Sequence, residues 1–240
     1  MQQVRLAVVG HRGAMAEAPE NTIASYRAAE EIGVDEVETD VRISADGQLF
    51  MLHDATLDRV AARPEGKELG PTSELDWSTI SAVDVGAGER VPTLEQMYAA
   101  TTRTIQLEIK DLAVLDALVG YLDDHPAEAA RTVLTSFSAE AMAAVSRRLP
   151  TIPRGVIVGS WDTALSYPGG PEALIKETGS SRVHTGWAGL TAETVSSLHD
   201  AGVGVHGWPC RERTDLERAV EFGVDGTTSD DPRTLLGWFG

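Results

Sequence analysis

Short apolar, β-branched stretches recur along the chain and alternate with segments whose apolar positions repeat at helical spacing. The strand-like stretches are 4–10, 34–41, 49–53, 104–110, 131–136, 154–159, 181–185, 203–208 and 224–228. The helical patterns cover 21–32, 94–101, 112–124, 138–148, 172–178, 191–201, 213–222 and 232–238. This alternation predicts parallel strands joined by crossover helices. Thr191-Ala192-Glu193 and Ser138-Ala139-Glu140 carry helix start signals, and Gly33, Gly202 and Gly223 stand where C-caps belong. Each of these glycines is followed by a valine that restarts a strand pattern.

Nine strands are one too many for a closed eight-stranded barrel, but Asp46-Gly47 is a hairpin signal that makes 49–53 a short partner of the strand before it. Eight βα units remain. The length of 240 residues fits a barrel of this type, for which about 250 is usual, whereas an open doubly wound sheet uses fewer strands. The expected fold is therefore α/β, a TIM (β/α)8 barrel, with residues 1–240 forming one domain. The stretch 55–93 breaks the rhythm with Pro, Gly, Ser and charge, which marks an inserted functional or capping segment.

Composition narrows the function. A hydrophobic content of 42% suffices for one sizeable core. The formal net charge of −17 repels nucleic acid and anionic bilayers, so neither is an expected partner. No apolar run is long enough to span a bilayer, and the N-terminus enters a strand-like stretch without the regions of a signal peptide. The expectation is a cytoplasmic protein without stable membrane association. Cys210 is the only cysteine, which excludes an intrachain disulfide and a thiolate metal cluster.

In a parallel barrel the chemistry sits at the C-terminal ends of the strands. Here those ends carry His11-Arg12-Gly13, Glu38-Thr39-Asp40, His53-Asp54 and Glu108-Ile109-Lys110. Residues two apart in a strand point the same way, so Glu38 shares a direction with Asp40, and Glu108 with Lys110. Three carboxylates converging on a barrel mouth repel one another unless a cation joins them. An all-oxygen donor set favours one hard divalent ion, Mg²⁺ or Ca²⁺ with Mn²⁺ also suitable, although nearby histidine keeps a transition metal open. With that ion, Arg12 and Lys110 leave the site close to one positive charge, which suits a phosphodiester monoanion. His11 and His53 supply proton transfer near neutral pH, one as base and the other as acid.

These residues, together with Pro19-Glu20-Asn21-Thr22, His53-Asp54-Ala55-Thr56-Leu57-Asp58-Arg59, Val91-Pro92-Thr93-Leu94-Glu95 and Leu107-Glu108-Ile109-Lys110, resemble the glycerophosphodiester phosphodiesterases. Thr135-Ser136-Phe137-Ser138 and the run from Gly223 to Pro232 follow in the family's order, so the resemblance extends from residue 5 to about 235. It implies a TIM-type barrel with an insertion after the His-Asp motif, a metal held by Glu38, Asp40 and Glu108, and His11 and His53 as acid/base pair. It also implies phosphate contacts from Arg12 and Lys110, and a substrate mouth lined by Trp208. The implied reaction is metal-dependent hydrolysis of a small-molecule glycerophosphodiester to sn-glycerol 3-phosphate and an alcohol. Attack comes either from the neighbouring glycerol hydroxyl, through a cyclic phosphate, or from water directly.

Two segments depart from the family, and in one of them, Val183-His184-Thr185-Gly186-Trp187, no family pattern is matched. Where the family carries Trp-Thr-Val-Asn, this chain has Val205-His206-Gly207-Trp208-Pro209-Cys210-Arg211, which bears on substrate detail rather than on the chemistry. Bland readings stand beside the functional ones. Glu108 and Lys110 can form a simple ion pair, while Glu20 and Asn21 can cap the first helix and brace the loop after His11, or reach the metal ligands. His206 reads as a hydrogen-bonded barrel residue, His184 as one near a barrel end and within reach of substrate, and His125 and His199 as surface residues. Trp161, Trp187 and Trp208 either rim one opening, where they could stack on a quaternary ammonium or an acyl chain, or pack in the core. The alternative functions are a lysophospholipase D or phospholipase-type phosphodiesterase on the same fold, a non-catalytic phosphate-binding barrel, and a phosphosugar isomerase. The last needs a glycine-rich phosphate site that Gly223 to Thr228 offers only weakly.

Overall fold

The computed structural model describes residues 6–239, so positions 4 and 5 of the first expected strand lie outside the described residues. In chain order the elements are β1 (Ala7–Gly10), α1 (Ile23–Ile32), β2 (Glu36–Ile43), β3 (Leu49–Met51), α2 (Trp77–Ala82), α3 (Leu94–Ala100), β4 (Thr104–Ile109), α4 (Val114–Asp124), α5 (Pro126–Ala129) and β5 (Thr132–Ser136). They continue with α6 (Ala139–Arg148), β6 (Arg154–Val158), α7 (Trp161–Leu165), α8 (Gly170–Thr178), β7 (Arg182–Gly186), α9 (Ala192–Asp200), β8 (Gly204–Trp208), α10 (Arg213–Phe222), β9 (Gly226–Ser229) and α11 (Pro232–Gly237). Among the described residues eight strands pair in parallel around a closed ring, β1-β2-β4-β5-β6-β7-β8-β9 and back to β1. This is the expected TIM barrel. The ninth strand, β3, pairs antiparallel with β2 through the Asp46-Gly47 turn.

Strands that follow Gly-Val begin later than the apolar pattern implies. In each case the valine N–H turns back to a helix carbonyl: Val34 to Ala29 O (3.3 Å), Val203 to Leu198 O (2.8 Å) and Val224 to Ala219 O (3.1 Å). The valines complete left-handed helix caps and are unavailable for strand pairing. Gly33 and Gly223 are C-caps, while at α9 the cap is Ala201, with left-handed Gly202 just after it. Three short helices, α2, α5 and α7, escaped the sequence pattern because none exceeds 6 residues, too short for a helical period to register. Within 55–93, two single-turn 3₁₀ segments and α2 wrap a separate apolar cluster of Phe50, Leu52, Leu57, Ala61, Ile80, Val83, Val85 and Val91.

The main core lies between the outward faces of the strands and the helices, where Val8, Val37, Leu107, Val156, Val183 and Val205 meet Tyr26, Leu118, Met142 and Val195. The barrel interior is different. In place of the branched aliphatic layers common in such barrels, it carries Glu36, Gln106, Arg182, His184 and His206. Gln106 Nε2 donates to Glu36 Oε2 (2.5 Å) and to His206 Nδ1 (3.2 Å), and Arg182 Nη1 donates to Glu36 Oε1 (3.1 Å). The two imidazoles fit because Gly155 and Gly226 present no side chain: a Cβ there would lie 2.6 Å from His184 Nε2 and 2.5 Å from His206 Cε1. His206 is therefore the hydrogen-bonded barrel residue expected. His199 Nε2 lies 3.0 Å from Asp225 Oδ2, and His125 stacks on Tyr121.

Away from the mouth, Glu30 ties α1 to the loop before β4. It accepts from Thr101 Oγ1 (2.6 Å), Thr102 N (2.9 Å) and Thr102 Oγ1 (2.8 Å). Burial opposes its charge, but these bonds and Arg103 outweigh it and hold the carboxyl at about 2. A folded-state pKa below the unfolded value adds stability that is complete above the ordinary carboxylate range and is lost as the pH falls from about 5 towards 2. Glu30→Gln is expected to lower stability at pH 7 by about 1–2 kcal/mol, with the difference closing at acid pH, as read by urea unfolding across pH.

Candidate active site

Every side chain at the mouth is placed by a strand end or by the turn after it. β1 ends at Gly10, and His11-Arg12-Gly13 forms a tight turn with Arg12 (φ 50°) and Gly13 (φ 87°) both left-handed. A Cβ on Gly13 would lie 2.2 Å from Ser25 Oγ, and one on Gly10 2.4 Å from Gly13 O. Arg12 tolerates its conformation because its backbone is tied on both sides. Its N–H donates to Glu38 Oε2 (3.0 Å), and its carbonyl accepts from Ser25 Oγ (2.6 Å) and Asn21 N (3.0 Å). Gly13→Ala is expected to cost at least about 2 kcal/mol, seen as a lowered Tm, because it combines a steric clash with positive φ.

Glu38 and Asp40 point inward from β2, and Glu108 from β4, where Asp40 and Glu108 are paired across the two strands. All three are buried, and an oxygen from each lies within 4.8 Å of the others. Burial and the charge of Asp40 raise the Glu38 carboxyl above its ordinary value, and the same two causes raise Glu108. Asp40 is held low despite its burial, by Lys110 and Arg12. Its Oδ2 accepts from Asn21 Nδ2 (2.8 Å) and lies 3.4 Å from Arg12 Nε. Its Oδ1 accepts no hydrogen bond, Lys110 Nζ lying 3.3 Å away outside bonding geometry. An orphaned buried carboxylate oxygen, two carboxyls raised by burial and by the charge of Asp40, and an all-oxygen donor set fit a hard divalent cation.

His11 and His53 stand at the same opening, each with Nδ1 on a carboxylate. His11 Nδ1 is 2.5 Å from Asp230 Oδ1, and His53 Nδ1 is 2.6 Å from Asp54 Oδ1. These contacts orient the rings and leave both Nε2 atoms for the site, His11 Nε2 lying 3.8 Å from Glu38 Oε2. Their pKa values move apart. For His11 burial is opposed and exceeded by Asp230 and Glu38, giving a raised value. For His53 burial prevails over Asp40 and Asp54, giving a lowered one.

A cavity of about 280 Å³ opens here, its wall including His11, Arg12, Glu38, His53, Glu108 and Trp208. Arg12 reaches it while donating to Glu20 Oε1 (2.8 Å). Lys110 stands behind the wall, its Nζ on Glu108 Oε1 at 2.7 Å, so the ion pair weighed from the sequence is present. Trp208 is the one tryptophan of the three to reach the cavity. Trp161 is buried in the core, and Trp187 packs over Gly207 with Nε1 donating to Pro209 O (2.6 Å). The shared tryptophan rim is thus corrected to one tryptophan, joined by half-exposed Phe137 edge-on to its ring. Thr22, not Glu20 or Asn21, caps α1, because its hydroxyl accepts from Ser25 N. Asn21 instead holds Asp40, and Glu20 ties Arg12 to Arg59. Asp230 and Asp54 are functional partners that the strand-end pattern does not single out; the signals for them in the sequence are their positions next to strand-end Ser229 and next to His53.

Residues 11–234 match the sequence profile of the glycerophosphoryl diester phosphodiesterase family. The chain belongs to that family. By family it is a phosphoric diester hydrolase. A glycerophosphodiester phosphodiesterase of Caldanaerobacter subterraneus subsp. tengcongensis is 29% identical over 97% of this chain and 97% of its own length. A putative family member from Silicibacter pomeroyi shares the fold at TM-score 0.88 with 24% identity, covering 100% of this chain and 94% of that one. An Oleispira antarctica phosphodiesterase, solved in complex with the product sn-glycerol-3-phosphate, has TM-score 0.86 and 23% identity over 97% of this chain and 96% of its own. Among the described residues of this family member no helix is long and apolar enough to cross a membrane.

Proposed function

We propose that this chain hydrolyses glycerophosphodiesters to sn-glycerol 3-phosphate and an alcohol, with Glu38, Asp40 and Glu108 holding one divalent cation, Mg²⁺ or Ca²⁺, Mn²⁺ being a further choice. The observation that carries the reading is one cavity in which Glu38 and Glu108 of that buried carboxylate cluster stand with two histidines, each held through Nδ1 by its own carboxylate. The Oleispira neighbour's bound product supports the substrate class. Bound there, the cation would supply Lewis-acid polarisation of the phosphoryl oxygens.

The chain's own residues account for the rest. Arg12, facing the cavity, attracts the phosphodiester anion, and Lys110, behind Glu108, keeps the acidic cluster from repelling it. We give His53, whose pKa is lowered, the part of base and His11, whose pKa is raised, the part of acid, a division that the opposite shifts support. An attacking hydroxyl gives its proton to His53 Nε2 as its oxygen bonds phosphorus. The P–O bond to the alcohol breaks, and the departing oxygen takes the proton of His11 Nε2. When the attacking hydroxyl is the substrate's own glycerol hydroxyl, water opens the resulting cyclic phosphate in a second step. A second reading, cleavage of lysophospholipids, draws support from the exposed Phe137 ring beside Trp208, an apolar rim for an acyl chain.

Release of sn-glycerol 3-phosphate from glycerophosphocholine is expected to vanish on chelation and to return with Mg²⁺, Ca²⁺ or Mn²⁺. A wild type silent on glycerophosphocholine with all three ions, yet active on lysophosphatidylcholine, would move the assignment to the second reading. Silence on both would sink the hydrolase reading of this site.

A further inference from the structure

Beside the acidic cluster the cavity holds two polar side chains that the chemistry above leaves idle. Thr135, on β5, and His184, on β7, both line the cavity, at 1% and 4% exposure. Neither Thr135 Oγ1 nor His184 Nε2 has a hydrogen-bond partner. They are linked across β6, which lies between their strands. Thr135 pairs with Glu108 on one side and with Gly155 on the other, and a Cβ on Gly155 would lie 2.6 Å from His184 Nε2. Thr135 and Gly155 stand on adjacent strands about 4.8 Å apart and the His184 edge lies over Gly155, which puts both side chains on one stretch of cavity wall near Glu108.

A buried hydroxyl and a buried imidazole nitrogen left unpaired are costly, and a cavity side chain in that state is explained by a ligand that completes it. The chemistry of the ligand follows from the charges. Arg12 and Lys110 serve an anion, but this stretch of wall is neutral: Thr135 cannot ionise, and burial, with His206 and Arg182 nearby, keeps the His184 ring uncharged. A neutral pair, each member able to donate or accept, matches an alcohol hydroxyl rather than a phosphate oxygen. We infer that Thr135 and His184 form a hydroxyl-binding subsite for the glycerol moiety, selecting polyol-bearing phosphates over alkyl phosphates. This rests on the glycerophosphodiesterase reading and adds to it the residues that recognise glycerol. Gly155 is part of the device, since any side chain there would occupy the place of the imidazole edge.

The test is calorimetric binding of sn-glycerol 3-phosphate and of methyl phosphate to the metal-replenished protein, with glycerophosphocholine turnover followed separately. The wild type is expected to prefer glycerol 3-phosphate, and Thr135→Val and His184→Phe each to reduce that preference by about 5- to 20-fold. Thr135→Ser, which keeps the hydroxyl, is expected to retain most of it, an outcome that simple packing damage would not give. The preference compares two ligands on one protein, so partial loss of fold in a variant cancels. An undiminished preference in Thr135→Val and His184→Phe overturns the subsite while leaving the hydrolase reading intact. A wild type that binds both phosphates equally does the same. Absence of turnover of both glycerophosphocholine and lysophosphatidylcholine in a wild type that still prefers glycerol 3-phosphate overturns the hydrolase reading and leaves the subsite standing.

Discussion

Glu38→Gln is expected to lower kcat on a glycerophosphodiester by at least ~10³-fold while leaving the metal-stripped protein no less stable than the wild type. The two halves have one cause. Glu38 is buried beside Asp40, and its carboxyl lies above its ordinary range because ionising it there is unfavourable. A carboxyl whose folded pKa exceeds its unfolded value makes the folded state take up protons, so stability declines as pH rises through that interval. Glutamine removes the penalty and keeps an oxygen to accept from Arg12 N, which Glu38 Oε2 now does at 3.0 Å. It also deprives the cluster of a charge that a divalent cation requires. Thermal melts of chelated proteins between pH 5 and 8, with metal-binding calorimetry, check both halves. Unchanged metal affinity, or a marked drop in metal-free stability, would give Glu38 a structural part instead.

His11→Ala is expected to reduce kcat by about 10²–10⁴-fold, and the deficit is expected to shrink on a diester with a p-nitrophenol leaving group, which departs without protonation. His53→Ala should show no such relief, because the attacking hydroxyl must still lose its proton. Asp230→Asn is a positioning change, with an expected loss of about 10-fold. Its diagnostic is the pH profile. Asp230 helps to hold His11 above the ordinary histidine value, so its neutralisation moves the limb belonging to His11 towards lower pH. A His11→Ala enzyme within about threefold of wild type, or equal deficits with both leaving groups, would remove His11 from the role of acid.

The sequence by itself determined the architecture and the ingredients. Alternation of strand and helix patterns, the Asp46-Gly47 turn and the chain length led to a barrel of eight parallel strands, because period and turn chemistry are local properties. The i, i+2 spacing put Glu38 with Asp40 and Glu108 with Lys110 on common faces for the same reason. Element ends were less legible. The valines of Gly33-Val34, Gly202-Val203 and Gly223-Val224 look like strand residues, but their N–H groups close helix caps, a choice made by backbone hydrogen bonds that side-chain pattern does not record.

Only the tertiary structure decided who holds whom. Asp230 reaches His11 across 219 residues of chain because β9 closes the ring beside β1. Asn21 becomes the partner of Asp40, not the cap of α1, because Thr22 takes the cap and the turn before it leans into the barrel mouth. Trp161 and Trp187 follow strand ends and Trp208 closes one, yet only Trp208 reaches the cavity; which way an aromatic ring turns there depends on the space a distant glycine such as Gly207 leaves for it. The neutral wall of Thr135 and His184 likewise exists because Gly155, the register partner of Thr135, leaves the space that the His184 ring fills. Sequence spacing fixes direction along one strand, whereas contacts between strands depend on register and closure, which only the folded barrel sets.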